Sequence, residues 1–349
     1  MNKKKQEMAN KRHCSLPPFE IVETLSAQQA GDRPGWQITA FDLPNAWKYS
    51  RGKGVTVAIL DSGCDLDHPD LVDNLIVPKG ANILNPKKPP HDDNGHGTHC
   101  MGVVCAGENG VGIIGVAPEA KGMPVKILDS FGDGDLVNVA KGIRFAVDNG
   151  ADIISMSLGA PFPLQQVRKA IQYATKKGVP VFCAAGNAGK IKEIYYPARY
   201  PETIAIGSIN KNFTRSNFSN TGKMLDFMAP GGKIQSCIPD DWYGVMSGTS
   251  QSAPFAVGCT ALLLSYAKEQ KLDCKICGDD CQLIAKGECA LQSVDGIRAL
   301  LKEHTVHIAN KHQAGKKFFQ GFGIIDPREF LKYIETHKDE ELKEELPEG

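Results

Sequence analysis

From Gly54 onward the chain keeps one rhythm, short apolar runs alternating with longer amphipathic stretches, and that rhythm restricts the folds open to it. GVTVAILD, KGMPVKILD, ADIISMSLG, VPVFCAAGN and TIAIGSI have the length and β-branched content of strands buried on both faces of a parallel sheet. Between them, LVNVAKGIRFAVDNG and PLQQVRKAIQYATKKG place apolar residues at helical spacing and stop at Gly. Alternating strands and helices predict an α/β fold, a three-layer parallel sheet with helices on both faces. In such sheets ligands bind beyond the carboxyl ends of the strands, and the chemically distinctive residues of this chain fall at those ends.

Composition narrows the function classes. With 349 residues the chain can bury a full core. Lys+Arg and Asp+Glu both total 40, so the overall charge points neither to nucleic acid nor to an anionic membrane. No apolar run approaches the ~20 residues of a membrane span. MNKKKQEMANKRHCS is basic but leads into no apolar stretch, so no secretory signal is read and a cytoplasmic location is expected. The eleven cysteines are odd in number. Together with a large core, this argues against a secreted disulfide framework, and scattered cysteines in VFCAAG and VGCTALLL are expected as small buried hydrophobes.

Three segments carry the chemistry: VAILDSGCDLDHPDL, DDNGHGTHCMGVV and MSGTSQSAPFAVG. They put Asp61 at a strand end, His96 at the start of an apolar helix and Ser250 at the start of another. A serine hydroxyl becomes a nucleophile when a base takes its proton, and a carboxylate fixes that base's tautomer. Taken singly, Asp61 could be a turn or helix cap and Ser250 an N-cap. The chain order Asp, His, Ser is one of the known orders of a catalytic triad. His96 and His99 do not read as a metal pair, because no third ligand follows at suitable spacing.

LDSGCDLDHPDL, NGHGTHCMGVV, SMSLG, CAAGN and SGTSQSAP, in this order, resemble the subtilisin-like serine proteases from about Gly35 to Asp326. The resemblance implies a sheet of about seven strands and hydrolysis of protein or peptide substrates through an acyl-enzyme. Ser250 would be nucleophile, His96 general base, Asp61 its orienting carboxylate and Asn187 a donor to the oxyanion. His99 would then be a packed, hydrogen-bonded core residue. Ser157-Leu158-Gly159 and Ala184-Ala185-Gly186 would wall the pocket for the side chain preceding the scissile bond. Gly132-Asp133-Gly134 would be a second clamping strand, so that substrate adds in extended form. Asp129, Asp133 and Asp135 near that strand would favour basic residues upstream, or form an ordinary solvated loop. Calcium is implied at Asp70, Gly107, Asn109, Val111 and Ile113. A second cation site near Ala198, Tyr200 and Asp226 is in doubt, because Met224 stands where the family often has Glu. Gln251 replaces the usual Met after the nucleophile, and Cys100 resembles a cysteine found under the catalytic His in some branches.

Three segments depart from the common plan. Residues 1–32 are expected to be a short propeptide-like extension to a peptidase domain at 33–335. Leu16-Pro17-Pro18-Phe19 is similar to an element of the intracellular subtilisins that lies across the cleft and, through proline, resists cleavage. The extension would thus inhibit its own enzyme, although a disordered tail with a Pro-Pro turn fits the same residues. A homodimer is implied only by analogy with that branch. An inserted lobe at about 268–290 carries Cys274, Cys277, Cys281 and Cys289, whose spacing suits zinc (Zn2+), disulfides or free thiols. Residues 336–349 read as an acidic solvated tail. A pseudoprotease is disfavoured because Asp61, His96, Asn187 and Ser250 are all present, and a peptide cyclase because no substrate-covering insertion is seen.

Overall fold

The computed structural model describes residues 13–17, 19–26, 31–191, 193–269, 293–309, 316–330 and 332. Cys274, Cys277, Cys281 and Cys289 and the tail at 336–349 lie outside the described residues.

The strands are β1 (His13–Ser15), β2 (Thr24–Ser26), β3 (Thr56–Asp61), β4 (Ala81–Asn82), β5 (Lys121–Lys126), β6 (Asp133–Asp135) and β7 (Ile153–Met156). They continue with β8 (Val181–Ala184), β9 (Ile204–Ile209), β10 (Phe227–Pro230), β11 (Ile234–Ile238), β12 (Trp242–Met246), β13 (Thr305–Val306) and β14 (Gly323–Ile325). The central sheet runs β13-β14-β10-β9-β8-β7-β3-β5-β4. Its pairings are parallel except β13 with β14. The seven strands expected are its middle; β4 and β13 add two edge strands of two residues each, too short to show a period. β3, β7, β8 and β9 are buried almost throughout, as a sheet covered on both faces requires.

The main helices are α1 (His96–Cys105), α2 (Leu136–Asp148), α3 (Gln165–Lys176), α4 (Thr249–Glu269) and α5 (Val294–Glu303). α2 and α3 pack together, α2 also against β3 and β5, while α1 and α4 pack together and meet the sheet from β5 to β10. α4 is buried from Thr249 to Ala267 and apolar on all sides, which suits a helix running through the core. Its Gly258 is needed for close packing, since an added Cβ would lie 2.5 Å from Val116 Cβ.

From β3 the chain moves to β5 on one side and to β7 on the other. The order therefore reverses at β3, and the crevice beyond its carboxyl end is where such a sheet places its ligand. Asp61 ends β3, and Ser157 directly follows β7.

Candidate active site

Asp61 and His96 meet in the core at the start of this crevice. His96 Nδ1 lies 2.9 Å from Asp61 Oδ1, and both residues are fully buried. Burial alone would press the His96 imidazolium down. The charge and hydrogen bond of Asp61 outweigh it, so His96 titrates well above the ordinary histidine value. The turn leading into α1 is held by Asp92, whose Oδ1 accepts from the backbone N–H groups of Asn94 and Gly95 and whose Oδ2 accepts from the N–H and hydroxyl of Thr98. Burial would raise this carboxyl, but these four bonds keep it below the usual range. Gly97 allows α1 to pass against the turn after β3, since a Cβ there would lie 2.2 Å from Gly63 O.

Ser250, 2% exposed, sits in the first turn of α4. Its hydroxyl donates to Ser157 O at 3.3 Å, while His96 Nε2 is buried with no hydrogen-bond partner. The Ser250 hydroxyl and His96 Nε2 are therefore not hydrogen-bonded to each other. Cys100 lies beneath, with Sγ 3.8 Å from His96 Nδ1 and 3.4 Å from Ser250 O. Burial pushes its thiol up, so it remains protonated. Asp61, His96 and Cys100 are the one set of possible metal donors within 4.8 Å of one another among the described residues. His99 is as expected a core residue: Nε2 lies 3.2 Å from Ile234 O and from Gly244 O, and burial drives its pKa down to about 3.

Asn187 Oδ1 accepts from Thr249 N (2.9 Å) and Thr249 Oγ1 (2.7 Å), which leaves its Nδ2 donors as the free end of the amide. The loop carrying Asn187 is shaped by buried Asn220, whose Oδ1 accepts from Ala188 N and Lys190 N and whose Nδ2 donates to Ala185 O. Neither Thr249 nor Asn220 stood out in the sequence, because their roles depend on contacts tens of residues away.

A cavity of about 360 Å³ opens beside Ser250 and Asn187, lined by Ser157, Leu158, Gly159, Ala184, Gly186 and Tyr195 among others. Ala185, between Ala184 and Gly186, is buried, and its carbonyl accepts from Tyr195 N. The segment 13–17 occupies the cleft as an extended chain. β1 pairs antiparallel with β6, Ser15 exchanges backbone bonds with Gly159, and Leu16 N donates to Gly132 O at 2.9 Å. Cys14 and Leu16 are buried, Pro17 lines the cavity with Ser250, and the Phe19 ring lies 5.3 Å from that of His96. A second attachment was not expected: β2 adds to β12, making the extension the outer strand of a three-stranded sheet. Of the three acids near the cleft, Asp133 alone pairs with the extension, 3.1 Å from His13. Asp129 instead accepts from Phe131 N and Asp133 N within its own turn, and Asp135 caps α2 through Val137 N.

At the expected calcium loop, Asp70 Oδ2 accepts from Ile113 N, while Oδ1 is buried with no partner. Gly107 N donates to Asp70 O, and Asn109 Oδ1 accepts from Val111 N. Burial raises the Asp70 carboxyl, the state of a carboxylate short of cationic company. At Asp226 the positive charge is supplied by the chain: Arg298 lies 3.5 Å from the carboxylate and donates to the carbonyls of Pro201 and Thr203. Burial nevertheless raises the Asp226 carboxyl, with Arg298 working against that rise. The seven described cysteines are free and buried. No helix among the described residues is long and apolar enough to cross a membrane.

Comparison with known proteins agrees with this geometry. The subtilase family (Peptidase_S8) matches residues 52–323. The Major intracellular serine protease of Bacillus subtilis (strain 168) is 42% identical over 240 residues, 66% of this chain and 75% of that protein. The Intracellular serine protease of Paenibacillus polymyxa is 37% identical over 262 residues, 73% and 79% of the two chains. Subtilisin E of Bacillus subtilis (strain 168) is 42% identical over 218 residues, 61% of this chain and 56% of that protein. A buried Asp–His pair, a serine opening the core helix and a family match over most of the chain lead to one conclusion: the chain belongs to the subtilase family and is a subtilisin-type serine endopeptidase.

Proposed function

We propose that Ser250 attacks the scissile carbonyl, His96 takes its proton and delivers it to the leaving amine, and Asp61 holds His96 in the required tautomer and stabilises its cation. The observation that carries this reading is the 2.9 Å Asp61–His96 contact in a fully buried setting beside Ser250. Asn187 Nδ2 would meet the oxyanion, with Thr249 fixing the amide's orientation. Substrate would lie as an extended strand between β6 and Ser157–Gly159, where β1 now lies, with Gly132, Asp133 and Gly134 on one side. The test uses protein freed of its extension: Ser250→Ala, His96→Ala and Asp61→Ala each lose at least about 10³-fold in kcat on a peptide substrate. A Ser250→Ala variant of unchanged activity would overturn the assignment.

The extension is the enzyme's own inhibitor on this reading. A substrate residue before the scissile bond offers an N–H; Pro17 has none and also fixes φ, so this segment binds and resists turnover. The uncommitted Ser157 carbonyl takes the Ser250 hydroxyl instead, which accords with an inactive resting state. Calcium fits the Asp70 loop because the carboxylate Oδ1, a hard oxygen donor, is buried without a partner, and Gly107, Asn109, Val111 and Ile113 would complete its shell. Its part is to fix the loop. Protein substrates in the cytoplasm are the proposed target, in keeping with the two intracellular relatives.

A further inference from the structure

We infer that Lys126 is a positioning residue for the Asp61–His96 pair, acting through the ammonium it buries between the two turns that carry them. Lys126 ends β5 beside Asp61, its register partner on β3, and its side chain is 5% exposed. Nζ donates to Ser62 O at 2.5 Å and to Asp93 Oδ1 at 2.6 Å. Ser62 belongs to the turn after β3; its N–H donates to Asp61 Oδ1 at 2.8 Å, and its hydroxyl accepts from Gly97 N at 2.9 Å. Asp93 belongs to the turn before α1, next to Asp92, which caps that helix. One cation therefore fastens the loop carrying the carboxylate to the loop carrying the imidazole.

A buried ammonium is costly unless its donors are matched, and side chains less hydrated or uncharged would fill the same space more cheaply. Here both acceptors lie in the turns flanking the reacting groups, and each link is a short, charge-assisted bond. Without the ammonium, Ser62 O would be left unpaired and the turn after β3 would lose its tie to the turn before α1. The N–H that fixes Asp61 Oδ1 and the hydroxyl that receives Gly97 would move with it. Lys126 touches neither substrate nor the proton in transfer, so its removal should cost alignment in the transition state and leave ground-state binding alone.

This inference rests on the proposed Asp61–His96–Ser250 machinery, and the experiment separates the two. Processed wild type, Lys126→Met, Lys126→Arg and Asp93→Asn are titrated with a serine-directed phosphonate, so that rates refer to competent sites. Lys126→Met is expected to lose about 10- to 100-fold in kcat with KM within about 3-fold, and Lys126→Arg to recover most of the loss. The downfield proton resonance of His96 Nδ1–H should shift in Lys126→Met and return in Lys126→Arg, which a merely structural role would not produce. If Lys126→Met does not fold, Asp93→Asn carries the test, because Asp93 is half exposed; kcat should fall several-fold at unchanged KM. Unchanged kcat and an unmoved resonance in either folded variant overturn the role of Lys126. Wild-type activity that survives Ser250→Ala overturns the triad reading itself.

Discussion

Leu16→Ala tests how the extension is held in the cleft. Leu16 is 9% exposed, packed over Gly132, where an added Cβ would lie 2.9 Å from Leu16 Cδ1. Its backbone bond to Gly132 O does not depend on the side chain. Truncation removes three buried carbons, at about 0.8 kcal/mol each, so docking weakens by roughly 2 kcal/mol. That corresponds to about a 30-fold larger ratio of open to covered enzyme. The assay is the initial rate on a short chromogenic peptide, taken while intact mass still shows the full-length chain. Unprocessed Leu16→Ala should be up to about 30-fold faster than unprocessed wild type, and the two should become equal once the segment carrying residue 16 is lost. Equal rates before processing would refute the idea that Leu16 anchors an inhibitory strand.

Asn187→Ala should lower kcat by about 10²–10³ with little change in KM, a magnitude set by the corresponding asparagine of subtilisin. Chelation of calcium should lower the melting temperature by several degrees, and Asp70→Asn should remove both that loss and the gain on adding calcium back. His99 has its folded pKa pushed down to about 3 from 6.5, so the unfolded chain binds the extra proton and stability is lost as pH falls from about 6.5 to 3. Urea denaturation of His99→Leu should show lower stability at neutral pH and a flatter dependence across that window. Active preparations should have lost roughly the first 15–30 residues; a fully active enzyme retaining Met1 by intact mass contradicts inhibition by the extension.

The placement of Asp61 at a strand end and of His96 and Ser250 at helix starts was legible because the flanking residues announce those boundaries. The middle of the sheet was legible for the same reason, as its strands are apolar runs with clear stops. What the sequence did not disclose depends on long-range contact. Asn220 shapes the Asn187 loop from over thirty residues away, and Lys126 reaches Ser62 across 64 residues. Asp129 and Asp135 look like Asp133 in the sequence, yet their carboxylates are occupied by local backbone N–H groups. Thr24–Ser26 has three residues, too few to show a period, and only the free edge of β12 makes it a strand.

The central claim is that Ser250 is the nucleophile, and trapping it is the most direct measurement. Processed protein is treated with a fluorophosphonate, digested, and the adduct located by peptide-mapping mass spectrometry. The account predicts one phosphonyl group per chain on Ser250, loss of peptidase activity in step with labelling, and no adduct in Ser250→Ala. Labelling at another residue, or undiminished activity of a fully labelled chain, would contradict it.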